Sequence, residues 1–359
     1  MTGGTALVVG ASGIAGHNAA RRLLDAGWTV YGITRHGAGL PSGAKPVTVD
    51  ITDAAATHAA LADLPITHLF YCTWSRQPDE AANCAVNTAM LGNVLAALES
   101  DERLVHAALV TGLKHYLGPF EAYAKTPMET PFREDQPRVP YQNFYYDQED
   151  LLIAAATRQG FTWSVHRPHT MIGWALGNAM NMGVTLAAYG TLCRHTGQPF
   201  AFPGSPQQYA GVTDISDARL VARQLEWAAT TPAAANQAFN CVNGGVFRWR
   251  QLWPVLAEGL GVPAAPYPGH PDPLEPRMAD TQPIWDEITA KYNLPARKLD
   301  ELASWWHTDS DLGRQVETFA DMTKSRHLGF LHYQDSAASF LDLFAELRRQ
   351  NIIPPLPSP

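Results

Sequence analysis

The chain has 359 residues, 46% of them hydrophobic, which is enough for one large domain or for two domains that share a seam. Lys and Arg total 26 and the net charge is −8, so we expect no nucleic-acid partner, because phosphates are bound by basic faces. We expect neither a membrane span nor a secretory signal, and four cysteines without CxxC spacing favour reduced thiols in a cytoplasmic protein over a disulfide framework or a zinc site.

The first predicted element is a strand, residues 5–9, that leads into a glycine-rich turn. The turn reads Gly10-Ala11-Ser12-Gly13-Ile14-Ala15-Gly16, and a helical pattern follows it as far as Gly27. Glycines in this context let the backbone turn tightly and approach a pyrophosphate at the positive end of the helix. Because the triplet directly follows a strand, we favour cofactor binding over a plain turn. The predicted cofactor-binding residues here are Gly10, Ser12, Gly13, Ile14 and Gly16.

The second predicted strand, residues 28–33, ends in Thr34-Arg35-His36. A site for NAD usually has an acidic residue at this strand end, about 20 residues past the glycines, to bind the ribose 2′-hydroxyl. Arg35 instead suits a 2′-phosphate through a charge-assisted contact, with a solvated surface arginine as the alternative. We therefore predict that Thr34 and Arg35 bind the cofactor and that the cofactor is NADPH (NADP+).

The third predicted strand, residues 46–49, is followed by two acidic residues with different predicted roles. Asp50, with Ile51 after it, can hydrogen-bond and cover an adenine edge, so we assign both residues to cofactor binding. Asp53 is interpreted as the N-cap of a helix over residues 54–64.

The fourth and fifth predicted strands, residues 68–72 and 104–110, also end in candidate site residues. These residues are Thr73, Thr111 and Lys114, which we assign to cofactor binding, and Trp74. The helix predicted between the two strands, over residues 79–98, contains Asn87, which we interpret as part of its polar face.

Strands that alternate with helices at this pace predict an α/β fold, a Rossmann-type doubly wound parallel sheet with a smaller, mainly helical C-terminal substrate domain. Ligands of such sheets lie beyond the carboxyl ends of the strands, where all five groups of candidates fall. We predict an NADP-binding domain over residues 1–170, rejoined by about residues 212–245, and a substrate-binding region over residues 171–359.

The second half of the chain predicts a sixth strand at residues 162–166, a strand at residues 238–242 that rejoins the sheet, and several helices. The predicted helices cover residues 183–193, 217–229, 249–260, 284–294, 299–306 and 337–349. The proline-rich end, residues 354–359, is expected to form a loose tail.

The stretch between residues 110 and 150 carries the candidate chemistry. Short-chain reductases usually have Tyr-x-x-x-Lys on one helix, so that the ammonium lowers the phenol pKa. Here the residues four past Tyr145 and Tyr146 are Glu149 and Asp150, and a carboxylate would raise that pKa. Lys114, just beyond the fifth strand, could reach the same space from another element, with a surface lysine as the alternative.

Three stretches of the chain carry a family resemblance: Val110-Thr111-Gly112-Leu113-Lys114-His115-Tyr116-Leu117-Gly118-Pro119-Phe120, Asn143-Phe144-Tyr145-Tyr146-Asp147-Gln148-Glu149-Asp150 and Trp163-Ser164-Val165-His166-Arg167-Pro168. On these motifs the chain resembles the progesterone 5β-reductase and iridoid synthase-like enoate reductases, atypical members of the extended short-chain dehydrogenase/reductase superfamily. The likeness runs nearly end to end, with further matching motifs at residues 180–181, 202–204, 216–218, 238–240, 243–249 and 324–330.

The resemblance implies that Lys114 and Tyr145 form the catalytic pair and contact the cofactor, with Tyr145 preferred over Tyr146. It also implies that Trp74 and Phe120 line the substrate pocket, with a role as core aromatics as the alternative. The chain departs from the family pattern where it has Arg35-His36 in place of paired arginines and Gly245 in place of a common aspartate.

The reaction that the resemblance implies is the NADPH-dependent 1,4-reduction of an activated C=C bond in an enone or enal. Hydride goes to the β-carbon, and Tyr145 stabilises the charge that develops on the carbonyl oxygen. The expected substrate is small and hydrophobic, no metal is needed, and the protein is expected to be a monomer or a homodimer. His115 and His166 are interpreted as structural histidines.

Two other functions are compatible with the predicted fold. An extended short-chain epimerase or dehydratase acting on nucleotide sugars would require Tyr-x-x-x-Lys on the helix, which this chain lacks. A non-catalytic NADP-sensing protein would bind the cofactor but would lose nothing when Lys114 or Tyr145 is changed.

Overall fold

A seven-stranded parallel sheet organises the first half of the chain. The computed structural model of the protein describes residues 3–35, 37, 39–99, 103–119, 122, 129–175 and 180–356. The strands are β1 Thr5–Val9, β2 Thr29–Thr34, β3 Lys45–Thr48, β4 His68–Tyr71, β5 His106–Val110, β6 Thr162–Pro168, β7 Met171–Ile172, β8 Ser216–Asp217 and β9 Gln237–Cys241. The main sheet has the order β3-β2-β1-β4-β5-β6-β9 with parallel pairing throughout, and β7 pairs with β8 separately.

Helices connect these strands. In chain order they are α1 Ile14–Asp25, α2 Ala54–Leu61, α3 Glu80–Ala97, α4 Lys114–Leu117, α5 Phe144–Gln159, α6 Met182–Thr196, α7 Pro206–Ala210, α8 Ala218–Thr230, α9 Trp249–Leu260, α10 Leu274–Met278, α11 Gln282–Tyr292, α12 Leu299–Leu302, α13 Trp305–Leu312, α14 Thr323–His327 and α15 Ser336–Arg349. None of the helices in the described part of the chain combines the length and the apolar character needed to cross a bilayer.

The chain divides into two compact units. The first unit comprises Met1–His169, Ala218–Val242 and Ala320–His332, and the second comprises Thr170–Asp217, Asn243–Phe319 and Tyr333–Pro359. The sequence prediction did not assign Ala320–His332 to the first unit. In that segment Ala320 forms a parallel bridge with Phe132, and the Asp321 N–H donates to the Phe132 carbonyl over 2.8 Å.

The sheet of the first unit is buried. All five residues of β5 are buried, and Ala6 to Val9 of β1 have no exposed surface. Leu7, Leu69 and Leu109, on three neighbouring strands, belong to one apolar cluster. Continuous burial of this kind is expected where helices cover both faces of a parallel sheet.

The second unit has its own core, built around α6 and α9. Every residue of α6 from Met182 to Cys193 is buried. Phe200 stacks on Trp253 of α9, with ring centroids 4.3 Å apart and the rings nearly parallel. The Trp253 indole N–H donates to the Phe200 carbonyl over 3.0 Å, so this buried indole is also satisfied as a donor.

The structure corrects two sequence predictions in the C-terminal part of the chain. The single helix predicted over residues 299–306 is two helices, because Ala303 has extended backbone angles and the Ser304 N–H donates to the Thr185 hydroxyl over 3.1 Å. The loose tail begins later than expected, since Pro354 is buried and the Pro355 carbonyl accepts a hydrogen bond from Arg194 over 3.0 Å. Residues 357–359 of that prediction lie outside the described residues.

Candidate active site

The turn between β1 and α1 has the backbone geometry that a pyrophosphate site requires. Gly10 has φ +80°, which glycine adopts without strain, and its carbonyl accepts the Gly13 N–H over 2.9 Å. A Cβ on Gly16 would lie 2.2 Å from the Gly10 carbonyl oxygen, so only glycine lets α1 approach the turn this closely. Ser12 is half-buried and Ile14 is buried beside them. This close-packed turn at a helix N-terminus fits the diphosphate of a dinucleotide.

The end of β2 presents one cation beside a buried turn. Thr34 is buried, and its hydroxyl accepts the Gly37 N–H over 2.7 Å, which fixes the start of the following loop. Arg35 is exposed at the same strand end, where a charged side chain can reach a ligand phosphate. His36, which takes the place of a second arginine, lies outside the described residues.

The loop after β3 is ordered by its own side chains. Asp50 accepts hydrogen bonds from the backbone N–H and the hydroxyl of Thr52, over 3.0 and 2.8 Å, and these bonds hold the pKa of the Asp50 carboxyl below its usual value. Ile51 is buried, and its carbonyl accepts a hydrogen bond from Asn93 over 2.9 Å. Asp53 caps α2 by accepting the Ala56 N–H, as predicted.

Two asparagines of α3 hold the loop after β4. Asn87 accepts the Ser75 N–H over 2.7 Å and donates to the Ser75 carbonyl over 2.9 Å. Asn83 accepts the Gln77 N–H over 2.8 Å. Asn87 has no exposed surface, so its interpretation as part of a polar helix face is wrong. It is a buried anchor for the loop that carries Thr73 and Trp74.

This loop brings its two candidate residues against other parts of the site. A Cβ on Gly10 would lie 2.7 Å from Thr73 Cβ, so Thr73 packs directly on the glycine turn. The Trp74 ring stacks on the ring of Phe144, the first residue of α5, with centroids 5.4 Å apart. Trp74 therefore joins the cofactor side of the sheet to the helix that carries the candidate tyrosines.

Lys114 is a buried lysine with an anionic partner. It is the first residue of α4, shortly after β5, only 7% of it is exposed, and its Nζ donates to Glu80 Oε2 over 2.9 Å. The same Nζ lies 4.6 Å from the centroid of the Phe144 ring. Ahead of it, Thr111 is fixed by donation of its N–H to the His166 carbonyl over 2.8 Å. The interpretation of Lys114 as a surface lysine is therefore wrong.

Tyr145 lies in the first turn of α5, next to the same aromatic ring. Its ring centroid is 4.4 Å from that of Phe144, and its N–H donates to Asn143, the N-cap residue of the helix, over 3.1 Å. A Cβ on Gly112 would lie 3.5 Å from the Tyr145 hydroxyl, so this hydroxyl lies over the backbone of the loop after β5. Asn143 also donates to the Lys114 carbonyl over 2.6 Å, which ties this loop to α5.

Tyr146 has a different environment from that of Tyr145. Its hydroxyl donates to the His115 carbonyl over 2.5 Å and accepts the Val139 N–H over 3.1 Å. Burial raises the pKa of the Tyr146 phenol. Because both hydrogen bonds go to the backbone, Tyr146 has the contacts of a structural tyrosine, whereas Tyr145 is only half-buried.

The carboxylates that follow the two tyrosines are paired with cations. Glu149 is buried, with its oxygens 3.3 Å from Arg167 and 3.4 Å from Arg138. Burial acts to raise the pKa of Glu149, but a hydrogen bond from His115 and the charge of Arg167 outweigh it and hold the pKa below its usual value. Asp150 is exposed and bound by Arg138 over 2.7 Å. Arg138 also lies over the ring of Tyr146, 4.7 Å from its centroid, so the cation of this group stands beside Tyr146.

The two histidines of this region have the contacts of structural residues. His166 is hydrogen-bonded to Ser164 and Gln224, over 2.9 and 2.8 Å, and burial lowers its pKa to about 4. Burial also lowers the pKa of His115, which lies 3.3 Å from Glu149.

Sequence reasoning missed Glu80. Glu80 follows the N-cap Asp79, and an acid in the first turn of a helix is common for electrostatic reasons alone, so the pattern gave no sign of its contact with Lys114. Phe120 lies outside the described residues. Within the described part of the chain, no three His, Cys, Asp or Glu side chains are grouped as metal ligands would be.

Comparison with known proteins identifies the family. A model described as a PRISE-like Rossmann-fold domain matches residues 50–354. The chain belongs to this family. It is 39% identical over 363 residues to an (S)-8-oxocitronellyl enol synthase of Camptotheca acuminata, which covers 97% of the chain and 93% of that relative. It is 38% identical over 362 residues to the 3-oxo-Delta(4,5)-steroid 5-beta-reductase of Arabidopsis thaliana, with the same coverage.

Solved structures support the fold of this PRISE-like protein. An NAD+ complex of the Bordetella bronchiseptica enzyme WbmH has a TM-score of 0.66 at 15% identity and covers 97% of the chain and 99% of that structure. The UDP-glucose 4-epimerase of Thermotoga maritima has a TM-score of 0.67 at 16% identity, with the same coverage. At these identities the likeness concerns the fold alone. The predicted Rossmann-type fold and family resemblance are confirmed, and the relatives are named as enzymes, in agreement with the prediction that the chain is an enzyme.

Proposed function

We propose that this PRISE-like protein catalyses the NADPH-dependent 1,4-reduction of activated C=C bonds in enones or enals. The observation that carries the proposal is the contact of the Phe144 ring with both the Lys114 ammonium and the Tyr145 ring, which lie on different elements. Both residues lie towards the carboxyl ends of the strands, where ligands bind in a parallel sheet. A relative named as a 3-oxo-Delta(4,5)-steroid 5-beta-reductase acts, by that name, on a conjugated ketone.

The residues around the turn fit a nicotinamide dinucleotide. Gly16 lets α1 pack closely on the glycine turn, where a Cβ would meet the Gly10 carbonyl oxygen, and Thr73 packs on the same turn. Exposed Arg35 at the end of β2 suits the 2′-phosphate of NADPH, and Asp50 with Ile51 suits the adenine. The preference for NADPH over NADH rests on Arg35.

The proposed roles of Lys114 and Tyr145 follow from the place where negative charge develops during the reaction. When bound, the reduced nicotinamide supplies hydride to the β-carbon of the alkene. Negative charge then moves to the carbonyl oxygen, where the Tyr145 hydroxyl donates a hydrogen bond, the role of an oxyanion hole. The Lys114 ammonium favours this donation and orients the cofactor ribose. The α-carbon is protonated by solvent or by the phenol.

The aromatic side chains at this edge suit a small hydrophobic substrate. Trp74 is half-buried and stacked on Phe144, so it can present an apolar face beside the catalytic pair. The family resemblance adds Phe120 to this surface. Flat, conjugated substrates gain dispersion and stacking contacts from such aromatic walls.

NADPH consumption tests the proposal. The intact chain is given 2-cyclohexen-1-one, progesterone or 8-oxogeranial, and the Tyr145→Phe and Lys114→Met variants are measured beside it. We expect turnover of at least one enone or enal by the intact chain and a large loss in both variants. A chain inert towards all three substrates contradicts the reductase function, and full activity in both variants contradicts the site.

The two alternative functions receive less support. A nucleotide-sugar epimerase of this superfamily would use a lysine four residues after its tyrosine, and this chain has Glu149 there, bound to arginines. A non-catalytic NADP-sensing role would leave a buried, ion-paired Lys114 without a task. In the assay above, the sensing role predicts cofactor binding without turnover.

We also propose a cytoplasmic location and a monomeric or homodimeric state. The four cysteines, Cys72, Cys84, Cys193 and Cys241, form no disulfide with one another, which suits a reducing compartment. Light scattering coupled to size-exclusion chromatography tests the assembly, and a trimer or larger species would contradict it.

A further inference from the structure

Glu80 contacts two parts of the candidate site at once. Its Oε2 accepts a hydrogen bond from Lys114 Nζ over 2.9 Å, and its Oε1 accepts the Phe144 N–H over 3.0 Å. The two partners are 34 and 64 residues away along the chain, so this carboxylate links the loop after β5 to the start of α5. It also accepts from Asn83 over 3.0 Å, which anchors it to its own helix.

The environment of this carboxylate explains why it stays in place. The first amide groups of a helix have no partner within the helix, and Glu80 satisfies that of Phe144 from outside α5. The positive ends of α3 and α5 and the Lys114 ammonium all favour a negative charge here. The side chains of Lys114 and Glu80 are only 8% and 13% exposed, so solvent screens this ion pair weakly.

We propose that Glu80 is a positioning residue that holds the Lys114 ammonium in a fixed relation to the first turn of the Tyr145 helix. This inference rests on the proposed function, because it assigns Glu80 a task in the same reaction. Glu80 acts through Lys114 rather than on the substrate. Its negative charge keeps Lys114 protonated up to a higher pH. Its second oxygen keeps the first turn of α5, which carries Tyr145, at a constant distance from Lys114.

A four-member cycle tests whether Glu80 acts through Lys114. The intact chain, Glu80→Gln, Lys114→Met and the double variant are compared for kcat, for KM of the enone and for NADPH affinity by fluorescence. We expect Glu80→Gln to lower kcat about tenfold, below the roughly 100-fold cost of a 1 Å misplacement, with KM for the enone unchanged. In the Lys114→Met background the same change should have almost no effect, because residues acting as a unit are not additive.

The pH profile separates positioning from a purely structural role. Removing an anion beside a lysine makes the lysine lose its proton at lower pH, so the alkaline limb of kcat in Glu80→Gln should move by about one pH unit towards acid. Glu80→Asp keeps the charge and should keep the limb of the intact chain. Glu99→Gln removes an exposed carboxylate that pairs with Arg158 over 2.9 Å, and it should change neither kcat nor the limb.

The outcomes keep this inference distinct from the proposed function. Equal losses from Glu80→Gln in both backgrounds, or no loss in either, would overturn the positioning role while leaving the reductase function intact. If the intact chain reduces no enone, the proposed function fails. The coupling between Glu80 and Lys114 is then measured by thermal unfolding. There, the double variant should lower the melting temperature by less than the two single variants together, and additive losses would overturn the inference.

Discussion

The glycine turn after β1 and the proposed catalytic pair, Lys114 and Tyr145, are two parts of one candidate site, and they are built differently. The turn is made by residues 10–16, contiguous in sequence, and its form depends on atoms that are missing, above all a Cβ on Gly16. The pair is assembled from Lys114 and Tyr145 on separate elements, held by Glu80 from a third. The geometry of the pair depends on contacts that its side chains make.

This difference determines how each part fails. Adding a methyl group should destroy the turn, because it forces backbone atoms apart. Removing a polar group should disable the pair, because a buried charge or donor then loses its partner. The two kinds of change can be compared in the same unit of the protein, each with a matched control.

The largest effect is expected at the catalytic tyrosine. Tyr145→Phe removes the proposed donor to the developing oxyanion, and we expect kcat to fall about 100-fold or more. Tyr146→Phe removes a hydroxyl bound to the His115 carbonyl, so it should cost about 1 kcal/mol of stability and leave most of the activity. Steady-state kinetics and denaturant unfolding measure both effects. A larger loss of kcat in Tyr146→Phe than in Tyr145→Phe would reverse the assignment.

The next effect concerns the glycine turn. Gly16→Ala places a Cβ about 2.2 Å from the Gly10 carbonyl oxygen, so NADPH affinity should fall at least tenfold and stability by roughly 1–3 kcal/mol. Gly92→Ala is the matched control, since the nearest atom to its Cβ is Leu151 Cδ2 at 3.6 Å. That change should raise stability by roughly 0.5–1 kcal/mol. Fluorescence titration with NADPH measures the affinity of each variant, and thermal unfolding measures its stability. Equal results for Gly16→Ala and Gly92→Ala would contradict a specific need for glycine at position 16.

A smaller effect is expected at the end of β2. Arg35→Ala should weaken NADPH binding about tenfold, the value of one exposed charge-assisted hydrogen bond, and leave NADH binding nearly unchanged. Arg21→Ala removes an exposed arginine from α1 and serves as the control for net charge. If Arg35→Ala weakens both cofactors equally, the 2′-phosphate is not its partner.

The smallest effect on activity at neutral pH concerns the sheet below the catalytic pair. Burial lowers the pKa of His106 to about 3 and that of His166 to about 4, so both are neutral in the folded protein where the unfolded chain binds protons. The stability that the two neutral histidines contribute is fully present above pH 6.5. It is lost as the pH falls towards their pKa values in the folded protein. Between pH 7.5 and 5.5 the free energy of unfolding should fall by roughly 1 kcal/mol per histidine. His106→Gln should reduce this dependence, and an unchanged slope in denaturant unfolding would contradict it.

The same contrast explains what the sequence could predict. The strand ends, the turn at Gly10 and the cap at Asp53 follow from local patterns; the structure has the turn and the cap as expected and the strand ends within about two residues of the predicted positions. The contact of Glu80 with Lys114, the burial of Asn87 and the return of Ala320–His332 depend on residues far apart in sequence. No local pattern separates an acid that complements a helix dipole from one that holds a catalytic lysine.

The most direct test of the central claim follows the hydride itself. The intact chain is incubated with NADPH that carries deuterium on C4 of the nicotinamide and with an enone that it turns over, and the product is analysed by mass spectrometry and NMR. We expect one deuterium on the former β-carbon and an intact carbonyl group, with this product largely lost in Tyr145→Phe and retained in Tyr146→Phe. Deuterium on the carbonyl carbon, or NADPH oxidation that is independent of the enone, would contradict reduction of the C=C bond by the Lys114–Tyr145 pair.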